Sequence, residues 1–205
     1  MQAPITLLLI AVTVIVSLLA FKTPGLAGRL ILWPPAVERN KQYDRLVTYG
    51  FIHADYWHLF FNMFTLFFFG RFMEERMAIL SGQVWTFPLF YLSALVVSIL
   101  PTYLKHQKDP NYRALGASGA VSALLFAFIL LQPLQMILVF VIPMPAILFA
   151  VLYVAYSIWM DKRGGDNINH GAHLAGAAYG VLFLVVMDAG VVSHFLQELS
   201  RPRFG

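Results

Sequence analysis

Six apolar stretches, each long enough for several helical turns, divide this chain and constrain its fold more than any other feature. Of its 205 residues, 60% are hydrophobic and 12% charged, at a mean hydropathy of +0.72. A soluble domain of this size cannot hide so much apolar surface, whereas a bilayer can. Cysteine is absent, which excludes disulfides and thiolate metal sites. The net charge of +4 is modest, and the basic residues lie in short connections rather than in a stripe. That pattern fits lipid headgroups, not nucleic acid.

The predicted spans run over about Ile5–Phe21, Trp57–Met73, Val84–Leu104 and Ser118–Leu131, with a fifth inside Met136–Trp159 and a sixth over Gly171–Val186. No Lys or Arg precedes Lys22 to make the positive start of a cleaved signal peptide, so the first stretch reads as a spanning helix. Pro143 and Pro145 would break a helix interior, so the fifth helix is expected to start after Pro145. No internal repeat or low-complexity segment is visible. The expectation is an all-α, polytopic membrane protein, one six-helix domain over 1–205. The connection 22–50 carries Pro24-Gly25 and Trp33-Pro34-Pro35 with many apolar residues, which predicts an interfacial substructure. Residues 189–205 read as a short C-terminal tail.

Within these spans stand a serine and a histidine pair among small residues: Gly116-Ala117-Ser118-Gly119, and Asn169-His170-Gly171-Ala172-His173-Leu174-Ala175-Gly176 with Gly180 one turn later. In a six-span chain the even-numbered helices enter from one side. His58 and Asn62 at the start of helix 2, Ser118 at the start of helix 4 and His173 early in helix 6 therefore fall near one membrane face. His58 and Asn62 share a helix face, and His170 and His173 nearly do. Helix 4 is short, about 21 Å at 1.5 Å per residue, against a hydrocarbon core of about 30 Å. Ser118 would then lie about 10 Å below the near surface, reached through a hydrated cavity, with the 105–113 loop dipping inward under the cover of protein.

A serine hydroxyl is a weak nucleophile until a base takes its proton, and histidine is the usual base. Unpaired backbone N–H groups at a helix N-terminus suit a developing oxyanion, to which His58 and Asn62 could add donors. Gly116 and Gly119 permit a tight turn and close neighbours, and Gly176 with Gly180 presents a small face for packing against another helix. Taken singly, each feature has a plainer explanation: a small-residue seam, a satisfied core histidine, an asparagine bridging helices. Their co-occurrence on one side of one bundle is what favours chemistry.

Over nearly its whole length the chain resembles the rhomboid intramembrane serine proteases. The resemblance rests on Phe51-Ile52-His53-Ala54-Asp55-Tyr56-Trp57-His58-Leu59-Phe60-Phe61-Asn62, on Gly70 through Glu74 with Arg76, on Gly116-Ala117-Ser118-Gly119, and on Ala172-His173-Leu174-Ala175-Gly176 with Gly180. It implies Ser118 as nucleophile and His173 as general base of a dyad without a carboxylate, with His170 a structural neighbour. It implies an oxyanion hole from His58, Asn62 and the Ser118 N–H, set beside Gly116. It further implies transmembrane protein substrates cut near the membrane boundary, with no metal or cofactor and a cell-membrane location.

Three departures stand out. An aromatic residue often follows the serine by four positions in this family and stacks under the catalytic histidine, but here that position is Ser122. The family's Trp-Arg pair in the first loop is Asp44-Arg45. Of the 14 Lys and Arg residues, ten lie in the odd-numbered loops, which places those loops in the cytoplasm by the positive-inside rule, whereas the resemblance places them outside. Other function classes are a client-binding module that no longer cleaves, a metalloenzyme using His58, His170 and His173, and a transporter. The metalloenzyme lacks a His-Glu-x-x-His motif, and the transporter lacks a second broken helix to pair with Pro143 and Pro145.

Overall fold

Pro4 opens the first helix, α1 (Pro4–Lys22), in the computed structural model, which describes residues 3–139 and 141–200. This helix buries Thr6, Thr13, Ser17 and Ala20 and turns large apolar side chains such as Leu8, Ile15 and Leu19 outward. Small and polar residues inside with leucines outside is the arrangement a bilayer favours, because close helix packing rather than water exclusion drives association there.

The first connection is folded as expected, into α2 (Pro24–Leu30), α3 (Pro34–Asn40), α4 (Arg45–Thr48) and a 3-10 turn at Tyr49–Phe51. Arg45 organises it. The guanidinium is buried and donates to the carbonyls of Gly28 (2.9 Å) and Ile31 (2.6 Å) and to Gln42 Oε1 (2.6 Å). Beside it, Arg29 and Asp44 pair at 2.7 Å on the surface. The arginine kept from the family's pair thus has a structural task here without its tryptophan.

Helix 2 runs longer than the sequence predicts. It comprises α5 (Tyr56–Thr65), a wider π turn at Leu66–Gly70 and α6 (Arg71–Ser81). The charges at Glu74, Glu75 and Arg76 suggest an end near Met73, but the Glu74 carboxylate is satisfied inside the bundle. It accepts from the N–H groups of Ile5 (3.0 Å) and Thr6 (2.7 Å) and from Thr6 Oγ1 (2.7 Å), so it caps the start of α1 from a neighbouring helix.

The next long helices are α7 (Thr86–Lys105), α8 (Ser118–Leu131), α9 (Ala146–Arg163) and α10 (His170–Met187). By length and composition α1, α7 and α10 can each cross a membrane, and α8 is a shorter apolar helix. Every residue of α8 from Gly119 to Leu131 is buried, which makes it the central post of the bundle. Gly176 and Gly180 lie against it: a Cβ on either would collide with the backbone carbonyls of Gly119 or Ala123. Helix α9 is packed far more sparsely and buries only Ala146, Ala150 and Ser157.

Two elements have no counterpart in the sequence reading. An antiparallel hairpin, β1 (Met136–Val139) with β2 (Ile142–Pro145), precedes α9 and pairs Met136 with Pro145. The supposed tail carries a helix, α11 (Gly190–Ser200), anchored by His194 Nε2 donating to the Leu131 carbonyl at the end of α8 (2.9 Å). That bond satisfies one of the carbonyls a helix end leaves open. Residues 201–205 of the expected tail lie outside the described residues.

Candidate active site

Ser118 begins α8 directly after an extended approach, and that approach is held by the first connection. Leu32 and Ala114 exchange backbone hydrogen bonds (3.0 and 3.2 Å), and the Gly116 N–H donates to the Tyr49 carbonyl (2.9 Å). Tyr49 in turn donates its hydroxyl to the Leu95 carbonyl on α7 (2.7 Å). Gly116 and Ala117, just before Ser118, are therefore covered by protein, whereas Lys105, Lys108, Pro110, Asn111 and Arg113 of the loop expected to dip inward are exposed.

Gly116 adopts φ +109, and a side chain there would strike the His58 ring. Its N–H is occupied by Tyr49, so its contribution is room for His58 rather than a donor. His58 sits in the first turn of α5, whose N-cap Asp55 accepts the His58 N–H at 2.8 Å. Asn62, one turn on and buried, spends one amide N–H on the His58 carbonyl (2.8 Å), leaving the second for the cavity.

On α10, Asn169 is the N-cap: its Oδ1 accepts from Ala172 N–H (2.9 Å) and from Thr102 Oγ1 (3.0 Å), tying the start of α10 to α7. The two glycines then let α10 lie on α8. The result is a hydrogen bond of 2.8 Å between Ser118 Oγ and His173 Nε2. Among the described contacts no carboxylate reaches the other ring nitrogen of His173. His170 does not reach the serine. Its Nε2 pairs with Asp166 at 3.0 Å, and its ring meets His173 edge-on. The hydrogen bond from His170 holds the Asp166 carboxyl below its ordinary value. No group of three or more His, Cys, Asp or Glu among the described residues is arranged to hold a metal ion.

Beside Ser118 an open cavity of about 200 Å³ runs between α5 and α9, lined by Phe61, Asn62, Ser122, Phe149 and Tyr153 among others. Two residues here were given no role by the sequence reading. His53 is buried and bridges Ser17 Oγ on α1 (3.0 Å) to the Ala117 N–H (3.4 Å). Ser17 donates its own proton to the Phe51 carbonyl (3.0 Å), so it accepts from His53 Nδ1–H, which leaves Nε2 as the acceptor for Ala117. Tyr153 on α9 lies nearly parallel to His173, with ring centroids 6.2 Å apart and 22° between planes, and its hydroxyl bonds Ser122 Oγ at 2.6 Å.

The rhomboid domain family model matches residues 40–189. The chain is 32% identical over 157 residues to a mitochondrial rhomboid-like protein 12 of Arabidopsis thaliana, covering 68% of this chain and 45% of the relative. It is 29% identical over 168 residues to rhomboid-related protein 1 of Caenorhabditis elegans, covering 77% of this chain and 43% of the relative. It is also 27% identical over 162 residues to YdcA of Bacillus subtilis, provisionally named a rhomboid protease, with 76% of each chain covered. The chain thus spans less than half the length of the first two relatives. The match across the serine, histidine and asparagine segments, on a helical membrane bundle, places this chain in the rhomboid family.

Proposed function

We propose that this chain is an intramembrane serine endopeptidase that cleaves transmembrane proteins near the membrane boundary. The observation that carries the reading is the 2.8 Å hydrogen bond between Ser118 Oγ and His173 Nε2 beside an open cavity. In the first step His173 Nε2 takes the hydroxyl proton as Ser118 Oγ bonds to the scissile carbonyl carbon. The negative charge on the carbonyl oxygen is met by the Ser118 N–H at the open end of α8, by Asn62 and by His58. His173 then gives its proton to the leaving amine, and the peptide C–N bond breaks. Water, deprotonated by the same imidazole, releases the acyl group and restores the hydroxyl. An extended substrate suits the cavity between α5 and α9, because its backbone must be unwound for the serine to reach the carbonyl.

His58, Asn62, Ser118 and His173 all stand near the starts of α5, α8 and α10, the helix ends that adjoin the face of the odd-numbered loops. Family resemblance puts that face outside the cytoplasm of a cell membrane, and the folding of Arg29 and Arg45 into the first connection weakens the opposing charge asymmetry. The chain has no cysteine, so single cysteines in 106–113 and in 82–85 report sidedness directly. Labelling of the first set from outside the cell supports this orientation, and labelling from the cytoplasm reverses it.

Reaction of the purified protein with a fluorophosphonate serine probe, alongside cleavage of a reconstituted transmembrane substrate, tests the activity. Both are expected in the wild type and lost in Ser118→Ala and His173→Ala. Full activity in either variant overturns the dyad. A folded wild type that neither labels nor cleaves favours a module that binds transmembrane clients without cutting them.

A further inference from the structure

We propose that Tyr153 on α9 positions the imidazole of His173, supplying from a different helix the support that Ser122 is too small to give. The proposal rests on the serine protease reading above. With one hydrogen bond to Ser118 and no carboxylate on its other nitrogen among the described contacts, His173 needs packing to fix its ring plane. Its ring neighbours among the described residues are His170, which meets it edge-on at 75°, and Tyr153, which lies at 22° with centroids 6.2 Å apart. An offset, near-parallel pair at this separation is an attractive geometry for two aromatic rings.

The tyrosine is itself held from two directions. Its hydroxyl bonds Ser122 Oγ at 2.6 Å, and Ser122 is buried one turn beyond Ser118 on the same face of α8. Phe126 and Phe149 pack around its ring at 5.6 and 5.4 Å. Ser122, a departure from the family pattern, becomes the anchor for a replacement. The ring that orients the base is thereby fastened to the helix that carries the nucleophile. The support also travels with α9, which buries few of its own side chains, so a displacement of α9 that widens the cavity also loosens the base.

The plainer alternative is that Tyr153 only walls the cavity, and kinetics separate the two. In reconstituted full-length protein, Tyr153→Leu is expected to slow fluorophosphonate labelling and lower kcat by up to about 100-fold, the loss that displacing a reacting group by about 1 Å produces. KM should stay near its wild-type value. Moving the aromatic back, as Ser122→Tyr with Tyr153→Leu, should restore most of the labelling rate. Wild-type labelling by Tyr153→Leu with a raised KM would make the residue a cavity wall and overturn the proposal. If that variant does not fold, the hydroxyl pair decides. Tyr153→Phe and Ser122→Ala should each slow labelling, and the double variant no further than either, because all remove one hydrogen bond. Wild-type rates in both overturn the proposal. Labelling of Ser118→Ala equal to wild type would instead sink the protease reading, and this role with it.

Discussion

The Glu74 side chain on α6 fastens the start of α1 from inside the bundle. A carboxylate in a span is costly, and here three donors from the start of α1 meet it. Glu74→Ala leaves those donors unpaired and should lower stability by about 1–3 kcal/mol, measured by unfolding in mixed micelles, with α1 loosening first. Asn62→Ala should reduce turnover while leaving folding intact. Removing one oxyanion donor costs about 10²- to 10³-fold in a soluble protease, and less here if His58 and the Ser118 N–H compensate. At the mouth, His170 lowers the Asp166 pKa. The stabilisation from that bond is complete above the ordinary aspartate value of about 3.9 and is lost as pH falls through the depressed one. An acid titration of thermal stability should therefore lose this step in Asp166→Asn. Ser118 and His173 were legible because reactive groups among small residues stand out in an apolar chain. Tyr153 was not, since one more aromatic in a helix already rich in them gives no signal, and its partners Ser122 and His173 lie on other helices. His53 was visible as a letter of the motif but not as a bridge.

At the scale of elements, the contact between α8 and α10 sets the distance on which everything else depends. Gly180→Val places a branched side chain against the Ala123 backbone, which cannot yield as a side-chain tip would. Overpacking of this kind costs about 1–3 kcal/mol. Because α10 carries His173, the variant should lose fluorophosphonate labelling while keeping its helical circular dichroism; full labelling would mean that the seam does not set the dyad. The helix starts were readable where punctuation is strong: Ser118 opens α8, and α9 follows Pro145 at once. The hairpin was not, because an unbroken apolar run gives the same hydropathy whether it folds as strand or helix. Helix α11 escaped for a different reason. Its anchor is a single histidine reaching back to a carbonyl on α8, a tertiary contact that no local pattern announces.

Across the whole molecule, the site is assembled from parts far apart in sequence. Leu32 pairs with Ala114, Tyr49 holds Gly116, and His173 meets Ser118 across 55 positions. Arg45→Ala removes the hub of the first connection and should lower cleavage without touching the cavity, because the approach to Ser118 loses its cover; proteolytic sensitivity of 106–117 would report it. The same geometry has a temporal side. As the chain is synthesised from its N-terminus, the serine helix is complete while the segment bearing His173 is still unmade. The first moment at which hydroxyl and imidazole can meet is when α10 inserts and its glycines seat on α8. Under the proposed mechanism, a nascent chain arrested before residue 170 would hold a Ser118 hydroxyl without its base, and the pair would form only once α10 is in place.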